Sequence, residues 1–177
     1  SIEKSRYQTL RWRDNALELI DQRVLPQTIT YLRCHDADAV AGAIRDMVVR
    51  GAPAIGCAAA YGVALEAAIL AGRARPDFDA ALDRAFDVLG ASRPTAVNLA
   101  WGLARMRSCL RREPQTASAG IAQALLECAH LILDDDVRLN RAMGAHGAAL
   151  LPPSMPVLTH SNAGAPATAA HGTALGV

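Results

Sequence analysis

Between Ala52 and Ala71 the chain carries one acidic side chain, Glu66, and no basic one, in a run made chiefly of alanine and larger apolar residues. A stretch this apolar must leave water, either into a protein core or into lipid. Its interruptions at Pro53, Gly56, Gly62 and Glu66, together with its alanine content, suit close helix packing better than lipid exposure. The expectation is a buried, central helix, opened by Pro53 in its first turn and closed near Gly72.

Enough chain surrounds that run to cover it. The 177 residues, 51% hydrophobic and 20% charged, suffice for one full domain and the start of another, and exclude a disordered chain. A formal charge of +1 gives no bulk field to draw the protein onto nucleic acid or an anionic membrane, so neither is an expected partner. Aromatic residues, at 4%, leave little for a base-stacking surface. The opening SIEKSRYQTLRWRD is charged and has no apolar h-region, which points to a cytoplasmic location. Cys34, Cys57, Cys109 and Cys128 are widely spaced, without a Cys-x-x-Cys or Cys/His cluster, and read as four ordinary thiols rather than metal ligands.

Local patterns divide the chain. Thr9 to Trp12, Ala16 to Ile20 and Thr28 to Leu32 have strand character and suggest a small antiparallel sheet. Asp36 can cap a helix whose apolar residues Val40, Ala41, Ile44, Met47 and Val48 share one face, ending near Arg50 and Gly51. Past the central helix, Asp77 or Asp79 starts a third, and Pro94 opens a fourth that runs to about Arg112. Ile121, Leu125, Cys128, Ala129 and Ile132 mark a longer fifth, continuing through Asp134, Asp135 and Asp136 to Leu150.

After the Pro152-Pro153-Ser154 punctuation the pattern changes, with a short strand at Met155 to Thr159, a Gly-containing turn and a helix starting at Ala167. These make the first βα unit of a truncated Rossmann-like domain, although one strand cannot build a parallel sheet. The fold class is therefore α+β: residues 1–150 form a sheet-and-helix domain, and residues 151–177 the start of the second.

Three segments can carry chemistry. In Arg50-Gly51-Ala52-Pro53-Ala54-Ile55-Gly56 an arginine stands at a helix junction, where free N–H groups and a guanidinium suit a phosphate; a tight turn with a solvated Arg50 fits the same residues. Ser92-Arg93-Pro94-Thr95-Ala96-Val97-Asn98 repeats that arrangement, again with a capped surface helix as the plain alternative. Thr159-His160-Ser161-Asn162-Ala163-Gly164 follows the expected strand, at the carboxyl end where open α/β sheets bind ligands. The adjacent Ser and His do not make a hydrolase, because Gly-x-Ser-x-Gly is missing. His146 reads as a packing or surface residue.

Taken together, RGAPAIG at 50–56, RPTAVNL at 93–99 and THSNAGAPATAAHGTALGV at 159–177 resemble the methylthioribose-1-phosphate isomerase family, which is related to ribose-1,5-bisphosphate isomerases and to regulatory subunits of initiation factor 2B. The opening LRWRDNALELIDQRVLP fits the isomerase branch. The resemblance implies a sugar phosphate bound between a sheet-and-helix domain and a Rossmann-like domain. Arg50 and Arg93 would hold the phosphate, and Gly51, Ala52, Asn162, Ala163 and Gly164 would complete the binding site. It implies aldose-to-ketose conversion of 5-methylthioribose 1-phosphate in methionine salvage, with no metal, nucleotide or other cofactor, and a homodimer whose main contacts lie in the later half.

Similar enzymes give the acid work and hydrogen transfer to a cysteine and an aspartate. Here Ser161 holds the cysteine's place, and an alcohol is a far weaker acid than a thiol, which titrates at about pH 8.5. The aspartate belongs to the later half, and Asp134, Asp135 and Asp136 do not match it. Pro166, Ala170 and His171 also depart from the family's leucine, glycine and tyrosine, although Pro166 suits the first turn of a helix. The expectation is an isomerase homologue that is inactive as this chain; the alternative is a sugar-phosphate-binding or regulatory module, and a third reading makes the helical part an interaction domain.

Overall fold

The computed structural model describes residues 7–112, 117–152, 155–160, 164–169 and 172. A three-stranded antiparallel sheet of β1 (Leu10–Arg13), β2 (Ala16–Ile20) and β3 (Tyr31–Cys34) opens the chain. The β1–β2 turn places Asp14 and Asn15 at φ 49° and 54°, the left-handed pair that matches the twist of a tight hairpin and that these two residue types tolerate. Pairings Leu10↔Leu19↔Leu32 and Trp12↔Leu17↔Cys34 define one face, largely buried. On the opposite face Glu18 stands between Arg11 and Arg33, accepting from Arg11 Nε at 2.5 Å. The third strand starts three residues later than expected, because Ile20 pairs with Tyr31 and residues 21–30 make the connection.

Helix α1 (Ala37–Arg45) is capped as the sequence suggests, with the Asp36 carboxylate accepting from Ala39 N–H at 2.7 Å. Its end is earlier than Arg50. Met47 takes φ 61°, and Val48 N–H donates to Ala43 O while Met47 N–H donates to Ile44 O, the paired bonds of a Schellman stop. Val48 and Val49 are buried in the connector instead of on the helix face.

Helix α2 (Ala52–Leu70) is the central element and packs against α1, α3 (Arg75–Ser92), α4 (Val97–Arg111) and α5 (Ser118–Leu150). By length and composition it passes for a membrane span, but 78% of its most apolar window is buried by these neighbours, as expected of a core helix. Its acidic residue has a structural use, since Glu66 Oε2 accepts from Ala37 N–H at 3.3 Å and adds a carboxylate at the α1 N-terminus. Deeper in, Tyr61 bonds His130 Nδ1 at 2.7 Å and stacks on Trp12 at 5.5 Å, tying α2 to α5 and the sheet.

Helix α3 begins at Arg75 with Pro76 in its first turn, slightly ahead of the expected aspartates. Helix α4 begins later than Pro94. Residues Arg93 to Ala96 form a separate turn closed by Ala96 N–H to Arg93 O at 3.0 Å, and the helix follows from it. The four-thiol reading needs correction: Cys109 and Cys128 form a disulfide between α4 and α5, leaving Cys34 and Cys57 free and buried. Sequence spacing could not reveal the pair, because helix packing brings the two cysteines together across 19 positions.

The helical body carries the chain to Leu150, but residues 155–160 have no strand partner and lie exposed, Leu158 at 98%. The strand expected at Met155 to Thr159 does not form, because an extended segment needs a neighbour for its backbone groups and the only sheet among the described residues is the three-stranded one. A 3₁₀ turn at Ala165–Ala167, with Pro166 in its first turn, stands where the next helix was expected to begin. The later residues of that expected helix, apart from Ala169 and Gly172, lie outside the described residues, apart also from Thr168 in the bend that ends the turn.

Candidate functional site

The first turns of α2 and α4 meet. A Cβ on Gly56 would come within 2.7 Å of Asn98 O, and one on Gly102 within 2.6 Å of Gly56 O, so backbone packs on backbone where the helices cross. Glycine is required for that approach, and the crossing brings the two helix starts to one end of the fold. Pro53 of α2 and Asn98 of α4 line one cavity of about 280 Å³, walled on the α5 side by Ile132 and Asp136.

Against this end lies the turn that follows Gly164. Gly164 is at φ 90°, ψ −173°, a conformation open essentially to glycine, and is buried. The Ala167 backbone then seats directly on Gly51, the N-cap of α2, where a Cβ would collide with it. Among the described residues, these bonds fasten the turn. Thr9 Oγ1 donates to Ala165 O at 2.5 Å, Thr9 N–H to Ala169 O at 3.2 Å, Gln22 Nε2 to Pro166 O at 2.9 Å, and Ala169 N–H to Asp136 Oδ2 at 2.9 Å.

The candidate residues fall as follows. Arg50 is exposed, Gly51 buried, Ala52 exposed and Arg93 half-buried; neither arginine makes an ion pair or side-chain hydrogen bond among the described residues. Two uncommitted guanidiniums beside helix starts are available to an anion. Gly164 is brought onto the same end through the turn on Gly51, whereas Ser161, Asn162 and Ala163 lie outside the described residues. His160 and His146 are exposed.

Sequence reasoning did not single out Thr9, Gln22 or Asp136. The first two stand among strand and loop residues, and Asp136 closes an acidic run that resembles a solvated helix face. Asp135 behaves in that way, paired with Arg138 at 3.0 Å and Arg105 at 3.3 Å, which hold its carboxyl below the usual range. Asp136 differs: burial pushes its carboxyl up, against the opposing bonds from Ala169 N–H and Asn140 Nδ2.

Cys57 also lines the cavity, but burial pushes its thiol to about 12, helped by the Asp136 charge. A thiol so far from ionising is a packing group and does not replace the cysteine expected at position 161. Among the described residues no group of three or more His, Cys, Asp or Glu side chains is placed to hold a metal.

Comparison with known proteins places the fold among relatives. The chain is 63% identical over 170 residues to methylthioribose-1-phosphate isomerase of Albidiferax ferrireducens, covering 96% of this chain and 48% of that protein. The corresponding protein of Desulforamulus reducens is 49% identical over 166 residues, with 94% and 48% covered. Among solved structures, 5-methylthioribose 1-phosphate isomerase from Pyrococcus horikoshii superposes with a TM-score of 0.90 at 37% identity, over 96% of this chain and 47% of that one. Subunit delta of the translation initiation factor eIF-2B from A. fulgidus gives 0.86 at 38%, over 96% and 49%. The chain spans about half the length of the curated relatives it matches. Its sheet-and-helix fold is thus shared with both kinds of relative, and the sequence profile of the initiation factor 2 subunit family matches residues 48–177, so the chain belongs to that family.

Proposed function

We propose that this chain is the phosphate-binding half of a methylthioribose-1-phosphate isomerase and that it does not complete the reaction by itself. The observation that carries the reading is the seating of the Ala165–Ala169 turn on Gly51, at the start of α2, with uncommitted Arg50 and Arg93 beside the two helix starts. The phosphate would bind Arg50 and Arg93, with Gly51, Ala52, Asn162, Ala163 and Gly164 completing the site. The substrate is 5-methylthioribose 1-phosphate, and the conversion moves hydrogen between C1 and C2 to give the ketose.

Phosphorylation at the anomeric oxygen blocks simple ring opening, so the site must supply an acid as well as a group that moves hydrogen. Ser161 holds the acid's position with an alcohol, a poor acid without a partnered base. The resemblance assigns the aspartate to a part of such enzymes beyond the 48% of the matched relatives that this chain covers. No metal or cofactor enters this scheme. We place the protein in the cytoplasm, with no membrane or nucleic-acid partner, and leave the homodimer to the later half.

The test is isomerisation of methylthioribose 1-phosphate by this chain and by Ser161→Cys, each alone and mixed with a C-terminal half from a relative. Turnover only by the Cys variant with the added half sustains the proposal, and turnover by the unaided chain sinks it. A second reading, a sugar-phosphate-binding regulatory module, is favoured by the nearly equal match to the initiation factor subunit. Ligand binding together with inactivity in every mixture would select it. Ligand at 100 times its dissociation constant adds about 2.7 kcal/mol, a rise of roughly 5–10 °C in Tm for a chain of this size.

A further inference from the structure

We infer that Asp136 is the positioning residue of the phosphate site, holding the Gly164 turn down on the start of α2 through the backbone N–H of Ala169; this rests on the function proposed above. Asp136 lies mid-way along α5, where the helix leaves the core. Beyond Ile132 its buried positions are Asn140 and Gly144. The turn runs past this stretch with Thr168 and Ala169 fully buried, so the Ala169 N–H has no route to water. Its partner is Asp136 Oδ2 at 2.9 Å, and Asp136 Oδ1 accepts from Asn140 Nδ2 at 3.1 Å, with Asn140 only 3% exposed.

The fastenings from Thr9 and Gln22 do not duplicate this one. Thr9 and Gln22 donate to carbonyls of the turn from the sheet side, whereas Asp136 accepts its N–H from the opposite side, on α5. The turn is therefore held from two sides above Gly51, and losing the α5 side strands a buried donor. Asp136→Ala strands two, Ala169 N–H and Asn140 Nδ2. Asp136→Asn keeps an acceptor for Ala169 and presents an amide to Asn140, whose own amide can turn over to offer its oxygen.

Two measurements on the full chain test this: residue-resolved exchange of the Ala169 amide by NMR, and calorimetric titration with methylthioribose 1-phosphate. Asp136→Ala should speed Ala169 exchange about tenfold or more and weaken binding by about the same factor, while Asp136→Asn stays within about threefold of the parent in both. Ile44→Val, a core change in α1 far along the chain, supplies a destabilised control that should keep its affinity. Unchanged Ala169 exchange in Asp136→Ala overturns the inference, and so does an affinity loss no larger than that of Ile44→Val. Faster exchange in Asp136→Ala with no binding by the parent chain sustains the anchor and overturns the phosphate reading instead.

Discussion

Replacing Gly102 by alanine tests whether the α2–α4 crossing sets the site. Helix propensity alone favours the change by about 1 kcal/mol, since glycine is a poor helix interior residue. Against this, the new Cβ would stand 2.6 Å from Gly56 O and 3.2 Å from Gly56 C and Cα, all backbone atoms that cannot rotate away. The helices must part by several tenths of an ångström. Leu99, Leu103 and Met106 are buried on α4, and a buried side chain of this kind contributes roughly 1.5–3 kcal/mol, of which a gap of about 0.5–1 Å forfeits a quarter to a half of the dispersion share. The three together lose about 2–3 kcal/mol, so the net cost is about 1–2 kcal/mol after the propensity gain. Urea unfolding of Gly102→Ala should show that loss and, on the function proposed above, methylthioribose 1-phosphate should bind more weakly because Asn98 and the turn at Arg93 move with α4. Gly56→Ala should cost a similar amount, and the double variant less than the sum, because helices already parted accept the second methyl. A Gly102→Ala chain more stable than the parent would refute the reasoning.

Further expectations concern titration and thiols. A carboxyl raised in the folded state, as Asp136 is, binds its proton more tightly folded than unfolded, so its contribution to stability is full below the unfolded value and declines as pH rises through the folded one. Asp136→Asn cannot ionise, and urea melts from about pH 3 to about pH 7 should show its stability relative to the parent improving with pH; a constant difference would contradict the assigned burial. Burial pushes Cys34 to about 11 and Cys57 to about 12, so neither should take up iodoacetamide at neutral pH until the chain is unfolded. Unfolding without reductant should expose these two thiols, and reduction should release Cys109 and Cys128 as well; four labels before reduction would deny the disulfide. In the oxidised chain, Cys109→Ser should cost about 3 kcal/mol by freeing a loop of this length in the unfolded state.

Strong periodicity and chain punctuation were legible where a local rule decides. The apolar run of α2, the Asp36 cap, the first two strands and the long α5 all follow from residue chemistry within a few positions. The same is true of the family, carried by the order of three motifs rather than by any one. Boundaries set by remote partners were not legible. The end of α1 is fixed by Met47 in a left-handed turn that buries Val48 and Val49, and the start of β3 by pairing with Ile20. The segment 155–160 has the apolar content of a strand, yet a strand exists only when another supplies its hydrogen bonds.

For the site, the sequence by itself determined which groups stand beside expected helix starts, Arg50 with Gly51 and Arg93 ahead of α4, and that Gly164 falls in the turn of the third motif. It also determined that position 161 holds an alcohol. Only the tertiary structure decided that the α2 and α4 starts share one end, because that depends on Gly56 and Gly102 letting backbones touch across 46 positions of chain, 102 minus 56. It alone turned one member of an acidic run, Asp136, into the partner of Ala169, and one pair of four similar cysteines into a disulfide. Sequence records what each residue can do within reach of its neighbours; burial, which removes water as the alternative partner, depends on segments distant in the chain and is settled only when they pack.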